Sequence, residues 1–285
     1  MSGIGIADGV AAHTAKFFGG CGLAIVGEGA MKFDKRIALV SGGSQGIGEA
    51  IASHLAAEGA NVAAIASSDL EKARRAVDRL PGGATKHMAC VCDVRDAAAV
   101  DALVADVVRR YGRVDILVNS AGVFFPSPAG ATTADTADRM IDINLKGAWH
   151  LINAVVPGMA ERKYGKIINV SSVAGVMGVG NYALYSATKA ALVMMTRALA
   201  SELAGRGINV NCLAPGNTAT PMNEDIRTKP EMKPFLDAMT ARTPSGRTYS
   251  SVDDMAAIAA FLASDAARAM HGSCVLADEG FSAGI

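Results

Sequence analysis

Residues Ile37 to Gly48 read IALVSGGSQGIG, and three kinds of local structure follow one another in those letters. Ile37 to Val40 is a short apolar run with no polar alternation, as expected of a strand buried on both faces. Ser41 to Gly48 is a glycine turn, and beyond it Ile47, Ile51 and Leu55 form one stripe of a helix. Glycines let the chain turn tightly and let a ligand approach the backbone, and the free N–H groups at the helix start suit a pyrophosphate. The spacing is Gly42-x-x-x-Gly46-x-Gly48 rather than the commoner Gly-x-Gly-x-x-Gly. With 31 glycines in the chain, such a triplet is expected by chance ~0.4 times. Its context has to carry the reading.

That context repeats to the end of the chain. Further apolar runs lie at Val62 to Ala66, His87 to Cys92, Ile116 to Asn119, Ile167 to Ser171, Val210 to Leu213 and Cys274 to Leu276. Helical patterns separate nearly all of them, which predicts an α/β fold with a parallel sheet covered on both faces. Nothing in 32–285 marks a linker or a repeat, so one domain is expected there. Residues 1–31 differ, with eight glycines and a longest apolar run of only Leu23 to Val26. They read as an N-terminal extension, poorly ordered or with a short helix bearing Val10, Thr14, Phe17 and Phe18 on one side. No secretory signal or bilayer-spanning stretch is evident in it.

The chemistry concentrates in Ser171 to Lys189, SSVAGVMGVGNYALYSATK. Tyr185 and Lys189 are four apart in an Ala-rich helical run, so they project from one face. A free tyrosine titrates near pH ~10, and a nearby ammonium favours its phenolate. Two adjacent positive charges, the second from an oxidised nicotinamide, would bring it towards the range of an acid/base catalyst. A Tyr-x-x-x-Lys pair arises by chance with probability ~0.3 in a chain with this many tyrosines. Among the five, only Tyr185 has Lys at that distance; Tyr182 has Ser186. Ser172 follows the run Ile167 to Val170, at a strand's carboxyl end where ligands usually bind.

Composition narrows the class of protein further. The 27 basic and 27 acidic residues cancel, leaving no net field for nucleic acid or an anionic membrane. The five cysteines, Cys21, Cys90, Cys92, Cys212 and Cys274, are odd in number and mostly sit in strand-like runs. They read as reduced residues of a cytoplasmic protein. The five histidines are scattered, and no metal site is expected.

Taken together these motifs resemble the short-chain dehydrogenase/reductase family from about Lys32 onward, with likeness to its 3-oxoacyl-(acyl-carrier-protein) reductase branch. The glycine spacing matches, with Ser41 where a Thr is more usual. Asn119, Ser120, Ala121 and Gly122 resemble the Asn-Asn-Ala-Gly motif after the fourth strand. The resemblance implies a doubly wound, three-layer Rossmann fold with a seven-stranded parallel sheet. It implies a catalytic set of Asn144, Ser172, Tyr185 and Lys189. Cofactor contacts would come from Gly42, Ser44, Gln45, Gly46, Ile47 and Gly48, from Ser67, Ser68, Asp93 and Val94, and from Asn119, Ala121 and Gly122. Tyr185, Lys189, Pro215, Gly216 and Thr218 would hold the nicotinamide half. Asp93 also reads as a cap for the helix starting near Arg95, and Asn144 as a helix interruption. The end Asp278, Glu279, Gly280 departs from the family's Asp-Gly-Gly.

The reaction so implied is hydride transfer between NAD(P)(H) and a carbonyl or secondary alcohol. A catalytically silent dinucleotide-binding regulator is one alternative and a sugar-nucleotide epimerase another. Ala66 and Ser67 leave the second strand without an acidic end, which favours NADP, with NAD possible; Asp69 and Glu71 are read as facing solvent. A lid is expected at about 217–250, where Met222, Met232, Phe235, Leu236 and Met239 could cover a small-molecule substrate. Phe124, Phe125 and Met177 would add a wall or belong to the core, and Lys163 and Arg206 fall where carrier-protein reductases of the family dock an acidic carrier but also read as exposed charges near a helix end. The family pairs the Tyr185 helix between subunits, implying a homotetramer with Ala190, Ala191, Met194 and Met195 at the contact.

Overall fold

The apolar runs become strands β1 (Ile37–Ser41), β2 (Asn61–Ala66), β3 (Met88–Val91), β4 (Ile116–Asn119), β5 (Gly165–Val170), β6 (Ile208–Pro215) and β7 (Cys274–Ala277). The structure, a computed structural model, describes residues 32–283, so the N-terminal extension and its expected helix lie outside the described residues. From Lys32 on, the chain forms one compact unit. All seven strands are parallel, in the order β3-β2-β1-β4-β5-β6-β7.

Successive residues of a strand face opposite sides of the sheet, so a sheet covered twice needs apolar residues at both parities. Ala38, Val40, Ile116 and Val118 pack on one side with Ile51 and Leu55 of α1 (Gly46–Ala57) and Met255 and Ala259 of α10 (Val252–Ala263). Ile37, Leu39, Leu117 and Ile167 pack on the other with Val100 and Val107 of α4 (Ala97–Tyr111) and Leu151 and Val155 of α6 (Gly147–Glu161). α2 (Leu70–Asp78), the short α3 (Gly83–Lys86) and α5 (Ala134–Ile141) fill the remaining connections. A π-helical turn, Asp142–Lys146, joins α5 to α6. α7 (Ala183–Leu203) follows β5, and α8 (Glu224–Thr228) and α9 (Lys233–Ala241) form the lid beyond β6.

Two strands, β5 and β6, start two residues earlier than the apolar runs suggest. Lys166 and Asn209, neighbours in the β5–β6 register, are both buried, and the Lys166 ammonium donates to Asn209 Oδ1 at 2.9 Å. Asn209 and Asn211 in turn donate their amides to Met270 O at 2.9 Å each. These polar side chains are satisfied by each other and by the Met270 carbonyl, and a hydrophobicity pattern stops short of them. At β3 the run instead shrinks, because His87 leaves the strand and its Nδ1 accepts the Val62 N–H at 3.1 Å.

Candidate active site

Connections leave β1 and β4 towards opposite ends of the sheet, so a crevice opens at their carboxyl edge. Ser41 Oγ closes the floor of that crevice by accepting the N–H groups of Ser120 and Ala121 at 3.1 and 3.2 Å. Gly42 has φ +65°, and a Cβ there would lie 3.0 Å from both Ala121 N and Ser120 O. Gly48, in the first turn of α1, sits so close that a Cβ would meet Gly42 O at 2.4 Å. The turn and helix therefore fit together only as bare backbone.

Asp69, Asp96, Thr133 and Ser251 cap α2, α4, α5 and α10 with their side chains. α1 has Gln45 at that position with no side-chain cap bond. Its first-turn N–H groups thus remain for a ligand, beside a cavity of about 140 Å³ lined by Gly42, Gln45, Gly46, Ile47 and Gly48. Ala121, Gly122, Tyr185 and Lys189 line the same cavity. A side-chain-free cradle at an uncapped helix start fits a dinucleotide pyrophosphate, which the chain would hold there.

A second cavity, about 350 Å³, is lined by Ser172, Tyr185, Pro215, Gly216 and Thr218 together with the lid. Tyr185 lines both cavities. Its ring meets Phe124 edge-on, at 4.7 Å between centroids and 80° between planes, and Phe124 stacks flat on Tyr182 at 4.3 Å. Ser172 starts the short 3-10 turn Val173–Gly175, its Oγ accepting from Ala174 N at 3.1 Å. Gly175 was not singled out from the sequence, yet a Cβ on it would lie 2.7 Å from the Lys189 carbonyl carbon. That close approach sets the Ser172 loop directly against α7.

Lys189 is buried, with its ammonium donating to Val170 O at 2.9 Å and lying 5.7 Å from the Tyr185 ring centroid. Burial pulls its pKa down to about 8, the Cys212 thiol opposing the shift. Burial likewise pushes the Tyr185 phenol above its ordinary value, and the hydrogen bond with Ser172 works the other way. The expected lowering of Tyr185 by Lys189 is thus overruled in this arrangement by desolvation, which penalises both charged forms.

The other expected residues divide. Asn144 does interrupt the helix, in the π turn, and its side chain is fully engaged: it accepts from Val123 N at 2.8 Å and donates to Val123 O and Thr188 Oγ1 at 3.0 and 3.2 Å. Ser44, Val94 and Asn119 are buried beside the crevice without lining either cavity, and Ser67, Ser68 and Asp93 lie at the ends of β2 and β3 outside both linings. Asp93 does not cap α4; Asp96 does, while Asp93 accepts from Arg95 N and pairs with its guanidinium, which holds its carboxyl below the usual range. Asp69 and Glu71 are exposed, as expected. Met222, Phe235, Met239 and Phe124 line the larger cavity, whereas Met232, Leu236, Phe125 and Met177 do not. Lys163 and Arg206 precede β5 and β6, at the sheet edge opposite Ser172, so within one chain they cannot reach a molecule on Tyr185.

Two features had no sequence reading. The Lys72 ammonium donates to the Gln45 amide oxygen; a cation in a helix's first turn opposes the macrodipole, so its register in α2 is the signal that would have found it. Glu279, at the departure from Asp-Gly-Gly, adopts φ +59°, where glycine is at ease. Its carboxylate instead binds Arg247 Nη2 at 2.6 Å and Ser250 Oγ at 2.9 Å, which ties the C-terminal loop to the end of the lid.

A Rossmann crevice with a tyrosine in the walls of two cavities and a buried lysine in one of them fits a dinucleotide-dependent oxidoreductase. The family sequence model described as enoyl-(acyl carrier protein) reductase matches residues 42–282. D-threitol dehydrogenase of Mycolicibacterium smegmatis is 37% identical over 251 residues, 88% of this chain and 94% of that one. The 3-oxoacyl-(acyl-carrier-protein) reductase of Thermotoga maritima is 35% identical over 252 residues, covering 88% and 99%. The crystal structure of gluconate 5-dehydrogenase from Burkholderia cenocepacia, in complex with NADP and tartrate, superposes with a TM-score of 0.84 at 33% identity, covering 90% and 98%. The chain belongs to the short-chain dehydrogenase/reductase family, and it is an NAD(P)(H)-dependent oxidoreductase of small molecules. Nothing among these relatives supports a silent regulator.

Proposed function

We propose that the chain interconverts a ketone and a secondary alcohol, with Tyr185 as the proton-transfer group. The observation that carries this is the position of Tyr185 in the walls of both cavities. The dinucleotide supplies or accepts the hydride when bound. In reduction Tyr185 gives its hydroxyl proton to the substrate oxygen, and Ser172 donates a hydrogen bond to the same oxygen; oxidation reverses both. Lys189 holds the nicotinamide ribose and adds the positive charge that lowers Tyr185 once its own desolvation is offset by that ligand. Asn144 is a positioning residue, joining Val123 to α7 through Thr188.

The cofactor favoured is NADP(H). Ala66 ends β2 without a carboxylate, Ser67 and Ser68 offer hydroxyls, and Lys72, with no carboxylate partner among the described residues, stands beside Gln45 at the cavity. A homotetramer is proposed, because Ala190 and Met194 are exposed on α7 with Ala191 and Met195 half-buried beside them. A cytoplasmic site is proposed on the free thiols of Cys90, Cys92, Cys212 and Cys274. No described helix is long and apolar enough to cross a membrane.

The test compares two tyrosines. Tyr185→Phe is expected to bind NADPH nearly as wild type and to lose at least about 100-fold in kcat on simple ketones. Tyr182→Phe keeps the stack on Phe124 and is expected to change kcat by less than about threefold. The reverse ranking would remove Tyr185 from the proposal.

A further inference from the structure

The substrate cavity is apolar along most of its wall, through Phe124, Met222, Ile226, Phe235, Met239 and Phe281. One charged side chain lines it among the described residues, that of Arg242. The lid has other cations, and each is committed elsewhere. Lys229 pairs with Asp225, Lys233 with Asp237 and Arg247 with Glu279. The Arg227 guanidinium donates to Asn223 Oδ1 and Thr220 O, at 3.0 and 3.1 Å. Arg242 differs: it is exposed, its guanidinium has no hydrogen bond and no carboxylate partner among the described residues, and it lies 5.3 Å from the Phe281 ring centroid. Its place after the last turn of α9 explains why a cation is tolerated there. It does not explain why the side chain lines an apolar cavity that contains no acid.

Resting on the ketone reductase reading above, we infer that Arg242 selects the substrate class: carbonyl compounds, or the matching alcohols, with an apolar body and a terminal carboxylate. The apolar body fills the wall formed by the lid. The carboxylate accepts two parallel N–H bonds from the guanidinium, which a compact ammonium would not offer. Phe235, Met239 and Phe281 cover that body, while Asn217, Thr220, Asn223 and Tyr249 supply the polar part of the wall. The carbonyl reacts at Tyr185, and no new covalent step is involved.

The probes are 5-oxo-5-phenylpentanoate and its methyl ester, which share the ketone and the apolar body and differ in the anion. Wild type is expected to prefer the acid in kcat/KM. In Arg242→Met the acid-to-ester ratio should fall about 10- to 100-fold, mostly through KM, with partial recovery in Arg242→Lys and a further fall in Arg242→Glu. Calorimetric binding of 5-phenylpentanoate, which cannot react, is expected to weaken in the same order. Equal use of acid and ester by wild type, or equal loss of both in Arg242→Met, would overturn the inference while Tyr185-dependent ketone turnover kept the reductase reading. No turnover of the ester or any other ketone with either dinucleotide would instead overturn that reading itself, and with it the inference.

Discussion

Lys189 holds a charge where the fold makes charge expensive. Its pKa of about 8 in the folded chain, against 10.5 for an unburied lysine, has a definite sign in stability. Below about pH 8 folded and unfolded chains both carry the proton, and the full penalty applies; between about 8 and 10.5 only the unfolded chain carries it, so stability rises with pH. The rise is at most about 3–4 kcal/mol at ~1.4 kcal/mol per pH unit. Urea unfolding of the dinucleotide-free protein across that range should show it as the difference between wild type and Lys189→Met, because the raised thiols of Cys90 and Cys92 oppose it in both proteins. Identical pH dependence in the two proteins would mean that another group titrates. At the other end of the crevice, Ala66→Asp puts a carboxylate at the end of β2, and the NADPH-to-NADH ratio of kcat/KM is expected to fall about 10- to 100-fold. Lys72→Ala should lower the same ratio by roughly tenfold; if neither change moves it, the 2′-phosphate does not bind there.

The seven strands were legible as elements because each is apolar at both parities, and the glycine turn because strand, turn and helix come in the required order. The limits of β5 and β6 were not, since Lys166, Asn209 and Asn211 find their hydrogen-bond partners only after the strands pair and Met270 comes alongside. The Tyr185–Lys189 face was readable from helical spacing. Gly175 and Arg242 were not, because the groups they meet lie on other elements and spacing along one element is blind to them; Lys72 left only its unfavourable place in the first turn of α2. Gly175→Ala makes the point measurable. The added methyl would press on the Lys189 carbonyl, with its carbon at 2.7 Å and oxygen at 2.8 Å, and displace the turn that starts at Ser172. Thermal unfolding should show a loss of about 1–3 kcal/mol, and kcat should drop while dinucleotide affinity holds. Unchanged kcat in Gly175→Ala would show that the Ser172 loop is positioned by something else.

Every described strand, and every described residue that lines the two cavities or builds the lid, lies after Met31. A protein beginning at Met31 is therefore expected to fold, turn over ketones and sediment as a tetramer at micromolar concentration. Soluble but inactive protein would assign the extension a part in the site, and a monomer would remove α7 as an interface. The pairing of α1 with α10 carries a different consequence, one of time. Ile51 and Leu55 share a core with Met255 and Ala259, made some two hundred residues later. A ribosome adding ~5–20 residues per second needs roughly 10–40 s to bridge that gap. For that interval the helix that cradles the pyrophosphate has its apolar stripe without its final cover. The nascent chain is thus exposed to chaperones, and to its own neighbours on a polysome, through the segment that later gives it its cofactor.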